Sequence, residues 1–187
     1  MFKFIKNFRH KHPNILLAFI YVIVITLIIM AFNRFFYSPI MVVGSSMSPA
    51  LSDNDLIIVN KIVYDFNEIE RFDIVVFPYK YDHSLNMVKR IVGLPGETVE
   101  IKNNVIYIDD SPLEEYYGFY DKDFESKYEN LSPITLSIDE YFVMGDNRNV
   151  SEDSRSEDVG PVKADTIIGR AVFRMWPFNG IGSLEYQ

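Results

Sequence analysis

Three stretches of this 187-residue chain carry side chains in combinations that could do covalent chemistry. The first is Val42-Val43-Gly44-Ser45-Ser46-Met47-Ser48-Pro49, an apolar run that breaks into hydroxyl residues and one methionine before a proline stops it. A serine just past a strand end has its side chain free to face a cleft, Gly44 permits close backbone approach, and Pro49 forbids further pairing. The same composition also makes an ordinary loop, in which Ser46 is only a turn residue. A serine hydroxyl is a weak nucleophile and needs a neighbouring base. The second stretch, Asn86-Met87-Val88-Lys89-Arg90-Ile91-Val92-Gly93-Leu94-Pro95-Gly96, offers one, because Lys89 interrupts a strand-like apolar pattern. On a strand Lys89 shares a face with Met87 and Ile91 while Arg90 points the other way. Such a lysine either snorkels to water or is buried, and burial strips its ammonium of hydration and favours the neutral amine near working pH. The third stretch runs from Met144 through Gly145, Asp146, Asn147, Arg148, Asn149, Val150, Ser151, Glu152, Asp153 and Ser154 to Arg155. It is either a solvated turn or a buried polar network in which every member must find a partner.

The elements that must position these residues follow from hydrophobic patterning. Residues 15–32 are continuously apolar apart from Tyr21 and Thr26, whose hydroxyl can bond back to its own helix; at about 1.5 Å per residue that is just long enough to cross a bilayer core. Lys3, Lys6, Arg9 and Lys11 precede the run and only Arg34 closely follows it, which places the N-terminus in the cytoplasm and the bulk of the chain outside. Arg34, Phe35, Phe36 and Tyr37 read as interface anchors. A cleaved signal peptide needs a shorter core and small residues at the cut, so an uncleaved anchor is expected. Beyond it, short β-branched and aromatic runs recur between turn signals with no sustained helical period. Strands are predicted over residues 39–43, 56–64, 73–77, 87–92, 134–138, 141–144 and 167–176. A two-residue hairpin at Asn103-Asn104 joins Thr98–Lys102 to Val105–Ile108, since asparagine tolerates the positive φ such turns demand. The fold class is mostly β: a transmembrane helix, then an antiparallel β-sheet domain with a small inserted lobe. The expected divisions are a cytoplasmic tail over 1–13, an anchor over 14–36, and an extracytoplasmic domain over 37–187 with the lobe at about 103–140. Residues 109–133 are polar, acidic and tyrosine-rich and read as carrying little chemistry.

Composition excludes several functions. The chain has no cysteine, so it has no disulfide and no thiolate metal site, and zinc is not expected from His10, His12 and the isolated His83. The formal charge of -8 understates the acidity beyond the anchor, because the first carboxylate is Asp53; nucleic acid would be repelled.

Taken in order, the anchor, Gly44-Ser45-Ser46-Met47-Ser48-Pro49-Ala50-Leu51, Phe72-Asp73-Ile74-Val75-Val76-Phe77, Val88-Lys89-Arg90-Ile91-Val92-Gly93-Leu94-Pro95-Gly96-Glu97 and the Gly145 to Arg155 segment resemble the bacterial type I signal peptidases. These are serine/lysine membrane proteases that remove leader peptides from exported proteins, and the short, single-anchor chain is similar to their compact Gram-positive form. The resemblance implies that Ser46 is the nucleophile and Lys89 the general base. It further implies that Ser151 hydrogen-bonds the Lys89 amine, and that Asp146, Arg148, Asp153 and Arg155 support the adjoining turn. It implies no cofactor and no metal, with signal-peptide-bearing preproteins and the lipid bilayer as partners. The family's oxyanion donors are the nucleophile's backbone N–H and, in some members, a hydroxyl two positions earlier; here that position is Gly44, so a backbone group or water is expected to substitute. Phe72 stands where glycine is common, Ala50 where threonine is usual, and Asn149-Val150 where Asp-Asn is frequent, which bears on loop geometry rather than on the reaction.

The likeness also implies that Ile40, Val42, Met47, Leu51, Ile57, Met87 and Val88 line two shallow apolar pockets that admit alanine-sized side chains, as cleavage after Ala-x-Ala-like sequences requires. The competing reading is that these are core residues, the default for apolar strand positions. Two other functions fit parts of the chain. A non-catalytic binding module would use the acidic, tyrosine-rich stretch but leaves Ser46 and Lys89 unexplained, and a self-cleaving regulator would need a DNA-binding head where this chain has an apolar helix.

Overall fold

The structure is a computed structural model that describes residues 13–121 and 128–184. It divides into two compact units, residues 1–37 and 38–187. The first is the helix α1, Pro13–Phe36, of 24 residues. Proline is tolerated at its start because the first turn's N–H groups have no helical partner. Every described side chain over residues 17–32 is exposed, so the helix is apolar all round instead of along one stripe. Thr26 Oγ1 donates to Val22 O at 2.8 Å, the back-bond expected of a hydroxyl in an apolar helix. Judged on the residues whose side chains are described, an uninterrupted stretch of only 17–32, no helix is both long and apolar enough to cross a membrane. The expected span is thus not established by the fold.

The second unit is built from two antiparallel sheets. The large sheet takes β1 (Tyr37–Met41), β2 (Leu56–Asn60), β3 (Ile74–Tyr79), β4 (Asp82–Gly93), β9 (Glu140–Met144), β10 (Val162–Lys163), β11 (Gly169–Trp176) and β12 (Gly182–Ser183). Its order is β1-β2-β11-β3-β4-β9-β10, with β12 on β11. The small sheet takes β5 (Thr98–Lys102), β6 (Val105–Ile108), β7 (Ser111–Pro112) and β8 (Leu131–Thr135), in the order β7-β6-β5-β8. The Asn103-Asn104 hairpin forms where expected, with φ of 50° and 65° at its two central residues. The predicted strand over 56–64 ends at Asn60, after which Val63–Asp65 wind into a short 3-10 turn. In the other direction β4 starts at Asp82, five exposed residues ahead of Met87, its first position that is not exposed.

Strand β3 explains why the sequence shows no alternation there. Ile74 and Val76 pack into one cluster with Val42, Met47, Leu51, Ile57, Val59 and Val88, while Val75 and Phe77 pack into another with Ile91, Val143 and Val162. A strand buried on both faces must be apolar throughout. A third cluster, including Val92, Val99, Phe142 and Met144, joins the two sheets. Gly93 sits at that junction, where a Cβ would lie 2.6 Å from Val99 Cγ2 and 2.9 Å from Phe142 Cβ.

Candidate active site

Past β1 the backbone is pinned to the next strand's approach: Val42 N–H donates to Asp55 O at 2.8 Å and Asn54 N–H to Val42 O at 2.9 Å. Gly44 then takes φ +88°, a value that side chains rarely adopt, and its N–H donates to Asp53 Oδ1 at 2.7 Å. One helical turn follows, closed by Ser48 N–H to Ser45 O at 3.1 Å and Leu51 N–H to Met47 O at 2.8 Å. Met47 and Leu51 drop into the core from this turn, which holds Ser46 half-buried beside the exposed Ser45. The hydrophobic effect thus sets which way the hydroxyl faces. The Ser46 N–H makes no hydrogen bond among the described residues and is free to serve an oxyanion, whereas the Gly44 N–H is already committed to Asp53.

Lys89 lies on β4 opposite Val75 of β3, on the face that carries Met87 and Ile91. It is 4% exposed, so it does not snorkel. Its Nζ donates to Ser46 Oγ at 2.8 Å. Burial pushes the lysine pKa down to about 8; Arg155 adds to the shift, while Asp153, Asp146 and Glu152 oppose it. An amine that can be neutral near pH 8 and touches a hydroxyl can take that hydroxyl's proton.

The loop after β9 is the buried polar network, not the solvated turn. Asp146 accepts Arg90 Nε at 2.8 Å and Nη2 at 2.7 Å, with the guanidinium stacked 4.1 Å from the centre of the Tyr117 ring. Asp153 accepts Arg155 Nε at 2.7 Å, Arg155 Nη2 at 2.9 Å and Gly145 N–H at 2.9 Å. Ser154 closes onto β9 through Val143 N–H at 2.9 Å and Val143 O at 3.0 Å. The turn is tied to Ser46 directly, because Asn147 N–H donates to Ser46 O at 3.0 Å. Gly145 permits that approach: a Cβ there would stand 2.4 Å from Ser46 O and 2.2 Å from Ser151 Oγ.

Ser151 corrects an expectation. Its side chain is buried against Gly145, but its Oγ bonds to no described group, and the expected bond to the Lys89 amine is not formed. Its backbone is what is engaged: the N–H donates to Asn147 O at 3.1 Å and the carbonyl accepts Arg155 Nη2 at 3.4 Å. The seven expected cleft residues also divide. Val42, Met47, Leu51, Ile57 and Val88 share one buried cluster with Ile40 packed against it, whereas Met87 packs against the cluster on the Lys89 side. Leu51 and Ile57 have no exposed surface, which is the core reading. Phe72 does occupy a position suited to glycine, at φ +78°, and its carbonyl accepts Arg90 Nη1 at 3.0 Å.

Sequence reasoning passed over Glu115, whose carboxylate accepts Arg148 Nη1 at 2.6 Å, and Tyr117. Both belong to the stretch read as chemically idle; the aromatic enrichment there was the only signal, and it does not say which cation each ring would meet.

Comparison with known proteins adds a family to this geometry. The family described as "Signal peptidase, peptidase S26" matches residues 15–176. The chain is 35% identical over 165 residues to a signal peptidase I P from Bacillus subtilis subsp. natto, covering 86% of this chain and 88% of that one. It is 42% identical over 148 residues to a signal peptidase I from Leptolyngbya laminosa, covering 75% and 70%. Among solved structures, a signal peptidase I from Enterococcus faecalis V583 is 36% identical, with a TM-score of 0.46, covering 56% of this chain and 97% of that one.

Proposed function

The chain belongs to the signal peptidase family of S26 peptidases, and from that premise we propose that it is a membrane-anchored serine endopeptidase that removes signal peptides from exported preproteins. The observation that carries the reading is the 2.8 Å contact between Ser46 Oγ and a lysine amine shielded from water. In the reaction, neutral Lys89 takes the Ser46 proton as Oγ attacks the scissile carbonyl carbon. The resulting oxyanion is held by the Ser46 N–H and a second donor. Lys89, now an ammonium, returns the proton to the departing amine of the mature chain, leaving an acyl-enzyme on Ser46. Water, deprotonated by the same lysine, hydrolyses that ester and frees Ser46. Asp146, Arg148, Asp153 and Arg155 hold the turn that carries the Ser46 carbonyl, and Ser151 fills the space behind Gly145.

The cleft walls are assigned to Ile40, Val42, Met47, Met87 and Val88, with the wholly buried Leu51 and Ile57 as core packing that limits depth. A shallow apolar floor admits alanine and excludes bulk, which suits cleavage after Ala-x-Ala-like sequences. The anchor is residues 14–36. A 24-residue helix is about 36 Å long, enough for a hydrocarbon core of about 30 Å, and the basic residues before it orient the N-terminus to the cytoplasm.

Ser46→Ala and Lys89→Ala are each expected to abolish cleavage of a labelled preprotein by the full-length protein in detergent micelles, with melting behaviour preserved. Cleavage surviving in either variant would overturn the assignment.

A further inference from the structure

The tyrosine-rich segment that follows β7 runs directly behind the turn that holds Ser46. Phe119 N–H donates to Asp146 O at 2.8 Å and Arg148 N–H to Phe119 O at 3.0 Å, a parallel bridge between Phe119 and Asn147. The opposite edge of the same turn gives the Asn147 N–H to Ser46 O. A single thickness of backbone therefore separates this segment from the nucleophile's carbonyl. Glu115 locks the two together: its carboxylate accepts both terminal nitrogens of Arg148, at 2.6 and 2.5 Å, while Arg148 Nε donates to Gly145 O at 3.0 Å. Arg148 is 1% exposed. Burial works against its charge, but the hydrogen bonds and charge of Glu115 outweigh it and hold the guanidinium above the ordinary arginine range. Gly118 makes the approach possible, since a Cβ there would stand 2.6 Å from Glu115 Oε1 and 2.8 Å from Arg148 Cζ.

We infer that Glu115 is a positioning residue for Ser46 and Lys89, acting through Arg148 to fix the backbone of residues 145–147 against the Ser46 carbonyl. The inference rests on the serine/lysine reading above. The lever is short and one-sided. Arg148 sets Gly145 O, and Gly145 lies so close to Ser46 O and the Ser151 side chain that there is no room between them for a Cβ. Lys89, by contrast, sits on a strand paired to neighbours on both edges and does not follow the turn. Loosening Arg148 therefore moves the hydroxyl relative to the amine. Glu115→Gln keeps the shape of the side chain but removes its charge, so the guanidinium is left under-compensated in a dry site and turns away from Gly145 O.

The test measures kcat, KM and the pH profile of kcat/KM on a labelled preprotein for full-length wild type, Glu115→Gln, Glu115→Asp, Gly118→Ala and Ser46→Ala, with thermal melting alongside. Glu115→Gln and Gly118→Ala are expected to lower kcat by about a hundred-fold, the scale set by misplacing reacting groups by about 1 Å, with KM little changed. The rising limb of the profile moves to higher pH, because Lys89 regains water when its contact with Ser46 loosens; the charges around it remain Asp153, Arg155, Asp146 and Glu152. Glu115→Asp recovers part of the loss. Should Glu115→Gln keep wild-type kcat and pH limb and lose only melting temperature, the positioning role is wrong and Glu115 is structural. If that variant does not melt cooperatively, Gly118→Ala decides by the same criteria. Ser46→Ala separates the two levels: inactive Ser46→Ala beside a fully active Glu115→Gln sinks only this inference, whereas active Ser46→Ala sinks the serine/lysine reading itself.

Discussion

Lys89 and Arg90 are consecutive residues of β4, 4% and 2% exposed, and they point to opposite faces of the large sheet. On the Arg90 face the protein supplies a complete partner set: two bonds to Asp146, one to the Phe72 carbonyl and the ring of Tyr117. The Lys89 face offers one hydroxyl and apolar walls. Asp153, the carboxylate that most favours its charged form, is already committed to Arg155 and to the Gly145 N–H, so it cannot neutralise the ammonium fully. Equal burial thus yields a fixed charge on one side and a labile proton on the other, and the difference lies in what each cation was given to hold. The residue types match the treatment. A guanidinium keeps its proton and fits a carboxylate through two bonds, while an amine yields its proton when dehydrated.

The sharpest way to break this contrast is Lys89→Arg, which keeps the charge but removes the possibility of a neutral base at any working pH. It is expected to lower kcat/KM by on the order of a thousand-fold, the scale of general-base catalysis, in a cleavage assay. Wild-type kcat/KM should climb about tenfold per pH unit below the lysine pKa of about 8 and level above it, since a depressed amine pKa means the active neutral form is lost as pH falls. On the other face, Asp146→Ala leaves the Arg90 charge buried without its carboxylate; urea unfolding should show a loss of about 3–5 kcal/mol. Ser151→Ala carries the smallest effect. Because the Ser151 hydroxyl has no partner among the described residues, its removal should leave the unfolding free energy within about 1 kcal/mol of wild type, and a larger drop would mean that the hydroxyl is bonded after all.

How far the sequence could be read follows the range of the interactions involved. The hairpin at Asn103-Asn104 was legible because a two-residue turn is decided by its own residues. Ser46 and Lys89 were legible as candidates for a similar reason, the one standing where an apolar run breaks and the other interrupting a strand pattern. Their contact was not, since it depends on Met47 and Leu51 anchoring one turn far along the chain from β4. The polar start of β4 left no trace because a hairpin arm that projects from the core needs no apolar face. The two-residue strands β7, β10 and β12 are shorter than any period that could be recognised. Glu115 was invisible for the strongest reason: a carboxylate in an acidic stretch looks solvated until the fold buries Arg148 against it.

The bond from the Asn147 N–H to the Ser46 carbonyl has a temporal side. Ser46 is made early in translation and the segment that docks its carbonyl about a hundred residues later, at the pace of the ribosome. On the serine/lysine reading proposed above, Lys89 keeps its proton until the folded chain buries it, and until then Ser46 has no base. On that reading a half-made chain is a dormant one, and its apolar helix emerges before there is any blade to cut it.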